Sequence, residues 1–291
     1  MTGAAKRTAG AVAVISVAMA LVLTVVVGGL WLLLRQLPQS HNAPVVPADH
    51  CLAVASHYRG SLMPEQAENA AIIVAESIRR GLPARAATIA LATALQESGL
   101  LNLDYGDRDS LGLFQQRPSQ GWGTKAQVMD PWYASGKFYA ALVKVKNWQS
   151  RDIGEVAQAV QRSAYPDAYD QYEGAGRAWA STLTGQTTAG LTCVTAQWSG
   201  GGGDDLVALL TRTWGQKLTV EQTDATITVT APSTATAWAI AQLAMAKLAV
   251  NGLAAVQVGD QTWTASQTAL APWLKSGQPA ASSRQVTLTL A

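Results

Sequence analysis

Apolar residues recur every three to four positions through the middle of the chain and every second position near its end. Ala67, Ala71, Val74 and Ile78 form one stripe, and Ala134, Phe138, Ala141 and Val145 form another. Ile153, Val156, Val160 and Ala164 make a third, and Ala168, Tyr172, Ala175, Trp179 and Leu183 a fourth. Each fits the 3.6-residue period of a helix better than the two-residue period of a strand. Pro64 and Pro83 stand where first helical turns begin, a position that tolerates a missing N–H. Residues 51–195 therefore read as a compact all-α domain. After a glycine run inside residues 196–204, which reads as a flexible linker, the period changes. Leu218–Gln222 and Thr226–Thr230 alternate as strands, and a long apolar helix follows from about Thr236 to Val250. Val256–Val258 and Thr262–Thr264 flank Gly259-Asp260, a hairpin signal, and Gln285 to Leu290 alternates again. Residues 205–291 thus read as a small C-terminal α+β domain in which nothing suggests chemistry.

The longest apolar run lies before all of this. Ala11 to Leu34 is 24 residues without a charged side chain. As a helix it covers ~36 Å, more than the ~30 Å of bilayer hydrocarbon. Lys6 and Arg7 precede it, which by the positive-inside rule keeps the tail 1–10 in the cytoplasm. A cleaved signal peptide is the rival reading. The run is longer than a signal peptide needs, and it ends in Trp31-Leu32-Leu33-Leu34-Arg35 with no small-x-small site. The expectation is a retained N-terminal transmembrane helix at 11–34, followed by a Pro-rich spacer at 35–50 that reaches at most ~50 Å. The folded parts then lie outside the membrane.

Charge narrows the function. Lys and Arg number 21 against 19 Asp and Glu, with no basic block, so nucleic acid is a poor partner. Ten Trp against two Phe suits cores, sugar stacking or membrane interfaces alike. The two cysteines, Cys51 and Cys193, bracket the α-domain, and an extracytoplasmic position favours a disulfide between them over two buried thiols.

The candidate chemistry gathers around Glu97. Ala86 to Ser98 is a helix of small, mostly apolar residues, and Gly99 stands where it would stop. Glu97 is then a lone carboxylate in the last turn. Apolar surroundings and the negative end of the helix dipole both disfavour its charged form, which suits a general acid. The bland alternative is an exposed Glu at a fraying helix end.

Glu97-Ser98 is followed by Gly112-Leu113-Phe114-Gln115, and Pro118 comes three residues later. This arrangement resembles the soluble lytic transglycosylases of the lysozyme-like superfamily, closely over residues 94–123 and loosely over 51–195. Their pattern is a helix ending in Glu-Ser, a loop, and Gly-Leu-Met-Gln in the same register, with Phe114 here in place of Met. The resemblance implies a lysozyme-like fold and cleavage of the β-1,4 bond between N-acetylmuramic acid and N-acetylglucosamine. One Glu protonates the leaving oxygen and then deprotonates the C6 hydroxyl, giving a 1,6-anhydro end. By position Glu97 is the acid/base, Ser98 supports the loop or substrate, and Gln115 lines the cleft.

The family's later Ala-Tyr-Asn, whose Tyr bonds the catalytic Glu, has Tyr165 as its nearest candidate, out of register. Trp122 between two glycines offers either a sugar-stacking face or core closure, while Trp132 and Tyr133 read as core. In the acidic loop, Asp104 and Asp109 are candidates for a second carboxylate. The alternative is that such acids tie the loop down through Arg108 and backbone N–H groups. Calcium-loop spacing is absent, and neither a metal nor a cofactor is implied. Three readings follow: a membrane-anchored glycan-cleaving enzyme, a non-catalytic cell-wall-binding or scaffold protein, and a C-terminal domain that docks a protein partner of an envelope or secretion assembly.

Overall fold

His50–Ala55, ahead of the first helical stripe, alternates Cys51, Ala53 and Ala55 inward and forms strand β1. In the computed structural model, which describes residues 49–161, 166–195, 202–247, 252–277 and 282–291, this strand is the centre of a three-stranded sheet. Tyr58–Leu62 (β2) pairs antiparallel on one side and Leu191–Val194 (β3) on the other. Ser56, at a φ of 56°, begins the tight turn between β1 and β2. The all-α expectation for 51–195 is thereby corrected: the stretch is mixed α/β. The helical stripes begin at residue 67 and carry no information about the three short strands at its two ends. The tail 1–10, the segment 11–34, the spacer to residue 48, Ala164, Tyr165 and the glycine run through Gly201 lie outside the described residues. Among the described residues no helix is long and apolar enough to cross a membrane.

Eight α-helices and nine strands are present among the described residues. Pro64–Arg79 (α1) begins with its proline at the first helical position, as the pattern implies. Ala84–Ser98 (α2) is the centre of the structure, with every residue from Ala86 to Ala94 buried. A helix apolar on all sides is stable only when covered on all sides. Lys125–Val128 (α3) and Pro131–Leu142 (α4) follow, then Ile153–Gln161 (α5) and Glu173–Leu183 (α6). Helix α6 covers α2 at close range because Gly176 faces it: a Cβ there would lie 2.9 Å from the Thr88 carbonyl oxygen. The other face of α6 carries the small sheet, where the Trp179 indole donates to the Gly60 carbonyl at 3.0 Å.

Cys51 and Cys193 are Cα partners on β1 and β3 and are joined by a disulfide. It closes a sequence separation of 142 residues around helices α1 to α6.

The last third supplies Asp204–Trp214 (α7), Thr234–Ala246 (α8) and a six-stranded antiparallel sheet. Its strands are Thr219–Gln222 (β4), Thr226–Thr230 (β5), Leu253–Val258 (β6), Gln261–Thr264 (β7), Leu274–Lys275 (β8) and Gln285–Leu290 (β9), in the order β4-β5-β9-β6-β7-β8. Helix α8 is buried from Ala237 to Ala246, packing on β6 and β9 and also on α1 and α6. Gln242 joins the two parts. Its Oε1 accepts from the Gly190 and Leu191 N–H groups, and its Nε2 donates to the Thr182 and Thr187 carbonyls. A fully buried amide with all its groups bonded fixes α8 against β3, and those bonds offset the cost of taking it out of water. The Trp273 indole adds a bond to the Leu191 carbonyl at 2.9 Å. The described residues from 49 to 291 accordingly belong to one compact unit.

Candidate active site

Helix α2 delivers Glu97 and then ends abruptly. Gly99 adopts the left-handed conformation at φ 63°, and the Gly99 and Leu100 N–H groups close back onto the Leu95 and Ala94 carbonyls. Side chains of α1 cap the carbonyls that follow: Gln66 donates to Gly99 at 2.7 Å and Asn69 to Leu100 at 2.9 Å. The half-buried Glu97 is thus held on a terminated, well-bonded helix end.

The loop carrying Gly112-Leu113-Phe114-Gln115 is stitched to that end. Leu111 and Gln116 exchange both backbone hydrogen bonds, which closes the four residues between them into a tight turn. The buried Ser98 hydroxyl donates to the Leu113 carbonyl at 2.8 Å, so Ser98 holds this loop. Gln161, at the end of α5, donates to the Phe114 carbonyl at 2.7 Å, and the Phe114 ring stacks on Phe138 with centroids 4.6 Å apart. Gly112, at φ 75°, is required here: a Cβ would lie 2.4 Å from the Val128 carbonyl oxygen. Gln115 also takes a positive φ, 47°, and its side chain donates to the Tyr105 and Gly112 carbonyls at 3.3 Å.

Together these elements wall a cleft of about 630 Å³, within the size range of ordinary ligand sites. Glu97, Gln115, Gln116 and Arg117 line one side, and Gln120 and Trp122 lie along the loop. Lys137 and Ala141 from α4, Lys144 beyond it, and Val160 and Gln161 from α5 complete it. Glu97 is the only carboxylate among the described residues lining it. Trp122 is half-buried, one part packed on the core and another open to the cleft. Trp132 and Tyr133 line a neighbouring hollow instead.

The Glu97 carboxyl has a buried partner. The Tyr169 hydroxyl donates to Glu97 Oε1 at 2.7 Å, from the 3-10 helix Pro166–Tyr172. Tyr169 is only 1% exposed, so the donor side of this bond is buried. The residue was missed at the sequence level, where Tyr165 was the candidate; Tyr165 lies outside the described residues. A signal was present. Ala168-Tyr169-Asp170 reproduces the Ala-Tyr-Asn pattern with Asp in place of Asn. Gly154 on α5 leaves the room that Asp170 occupies, since a Cβ there would lie 1.9 Å from the Asp170 carboxyl.

Asp109 has a different task from chemistry. It accepts from the Arg117 guanidinium at 2.9 Å, from the Ser119 N–H at 2.7 Å and from the Ser119 hydroxyl at 2.9 Å. The partner is Arg117; Arg108 instead lies 3.9 Å from Asp107 at the surface. The Ser119 N–H, then Arg117 and the Ser119 hydroxyl, hold the Asp109 carboxyl down at about 2. A depressed carboxylate stabilises the folded loop above its unfolded value near ~3.9 and loses that contribution as pH falls through the folded value. The loop between Asp109 and Ser119 is therefore expected to stay clamped down to about pH 4 and to release toward pH 2. Carbon-13 NMR titration of the Asp109 carboxyl checks this, and a midpoint near the ordinary carboxylate range contradicts the clamp.

No protein-family model matches this sequence, and a comparison with curated proteins finds no match.

Proposed function

We propose that this protein cleaves peptidoglycan glycan strands between N-acetylmuramic acid and N-acetylglucosamine, from outside a membrane to which residues 11–34 tether it. The carrying observation is the Glu97 carboxyl in the cleft wall with one oxygen engaged by the Tyr169 hydroxyl. Because Oε1 accepts that bond, Oε2 is left to carry the transferable proton. In the proposed reaction this proton passes to the glycosidic oxygen as the C1–O4 bond breaks. The Glu97 carboxylate then takes the C6 hydroxyl proton while O6 closes on C1. No water is consumed, and Glu97 returns to its acid form.

The absence of another carboxylate among the described lining residues favours this single-acid route over one that needs a second acid. The engagement of Asp109 by Arg117 and Ser119 points the same way. Substrate acetamido groups supply the stabilisation that a second carboxylate gives elsewhere. Gln115 and Gln120 offer amides to sugar hydroxyls, and Trp122 offers an apolar face to a pyranose ring. The disulfide agrees with an oxidising compartment, and the 24-residue uncharged run with a tether.

Digesting purified sacculi with the full chain tests the proposal through the released muropeptides. Products with 1,6-anhydro ends support it, reducing ends indicate a hydrolytic route, and strand binding with no product supports the wall-binding reading. Tyr169→Phe removes the orienting bond alone. It is expected to slow cleavage by about 10- to 100-fold, the worth of one hydrogen bond to an ionisable group, with strand affinity unchanged. An unaltered rate removes Tyr169 from the mechanism.

A further inference from the structure

Helix α4 separates the cleft from a second hollow of about 350 Å³, and Lys137 and Ala140 line both. The second hollow carries four cations, Arg79, Arg80, Lys137 and Arg212, against two carboxylates, Glu76 and Asp130. Both acids are engaged. Glu76 is buried and takes hydrogen bonds from Arg79 and Arg80, and Asp130 caps α4 by accepting from the Trp132 and Tyr133 N–H groups. Gly136 leaves room for the Arg80 side chain, for a Cβ there would lie 2.8 Å from its guanidinium. Among the described residues Lys137, Lys144 and Arg212 have no ion-pair partner. Arg212 comes from α7 in the last third of the chain, and its guanidinium lies 4.2 Å from the centre of the Trp132 ring. Stacking of that kind orients a guanidinium while leaving its in-plane N–H donors free for a carboxylate.

Where its lactyl groups are amide-linked to peptides, the glycan backbone gives these cations no anion to bind, whereas its peptide substituents end in carboxylates. We propose that this hollow is a carboxylate subsite for the peptide stems of the glycan strand, with Lys137 and Arg212 as its ligands, an inference that rests on the glycan-strand reading above. The last third of the chain then contributes directly to substrate choice through Arg212. Lys137 marks where the strand passes from the cleft into the subsite.

Arg212→Gln in the full chain tests this on three substrates. These are strands bearing peptide stems, strands stripped of stems so that only lactyl carboxylates remain, and chitin oligomers with no carboxylate. The expected result for Arg212→Gln is a KM about 10-fold higher on stem-bearing strands with kcat unchanged. The effect shrinks at high salt, is absent on chitin, and is only partly restored by Arg212→Lys, which keeps the charge but loses the stacked fork of donors. Equal losses on stripped and stem-bearing strands assign the lactyl group and overturn the peptide assignment. No loss, or the same loss on chitin, overturns the subsite. Arg212 is exposed, so its replacement does not threaten folding; matching thermal melts verify this. If the wild type cleaves none of the three, the same comparison is read as binding. Stem-selective affinity lost in Arg212→Gln then keeps the subsite while the cleavage reading falls, and no binding to any strand overturns both.

Discussion

Glu97→Gln is expected to lower glycan-strand cleavage by about 10²–10⁴-fold, the usual worth of a positioned general acid–base group. The substitution is nearly isosteric. The Gln carbonyl oxygen still accepts from Tyr169, so the helix end, the 111–116 turn and the cleft keep their shape. What disappears is the transferable proton on the second oxygen, together with the base that the departing proton would leave behind. Strand affinity should therefore persist, and anhydro ends should vanish from the digest. Measuring single-turnover rates beside equilibrium binding separates the two quantities. Wild-type turnover by Glu97→Gln protein with binding intact would falsify the assignment of the acid.

Opening the Cys51–Cys193 bond is the perturbation expected to cost most stability. The bond closes a separation of 142 residues, and in the chain-entropy model a loop of that size is worth about 5 kcal/mol; measured losses for native disulfides run at about 2–5 kcal/mol. For a unit of this size the midpoint of thermal unfolding should drop by roughly 5–20 °C. The change should reach beyond the small sheet. Strand β3 carries Cys193, and Leu191 on the same strand donates its N–H to Gln242 and accepts from Trp273, so loosening β3 loosens the seat of α8. A variant with both cysteines replaced by serine, compared with the oxidised wild type by denaturant melts, gives the value. Coincident melts would mean that β1 and β3 hold the ends together without the covalent link.

Much of the secondary structure is legible along the chain because its causes are local. Proline at the start of α1, glycine at the end of α2 and the alternation in β5 and β9 act over a few residues. The strands β1 to β3 are harder to read. Each is four to six residues long, too short for a period to stand out, and β1 and β3 meet only across the intervening helices. A supporting role for Ser98 was implied only by the resemblance of Glu97-Ser98 and the loop after it to the lytic transglycosylases. Tyr169 was not legible, since Tyr165, Tyr169 and Tyr172 stand close together in the sequence and it is the path of the 3-10 helix that brings Tyr169 to the carboxylate.

By itself the sequence determined where α2 ends, and hence that Glu97 stands at a helix terminus with Ser98 beside it. It also determined that two cysteines were available to bracket the helices. Those outcomes follow from backbone preferences and residue types within one or two turns. Only the tertiary structure decided that a tyrosine 72 positions later donates a hydrogen bond to Glu97. It alone decided that Asp109 is bound by Arg117 and Ser119, and that Arg212 reaches the flank of the cleft. Such pairings depend on how helices stack around α2, and no local preference encodes that distance.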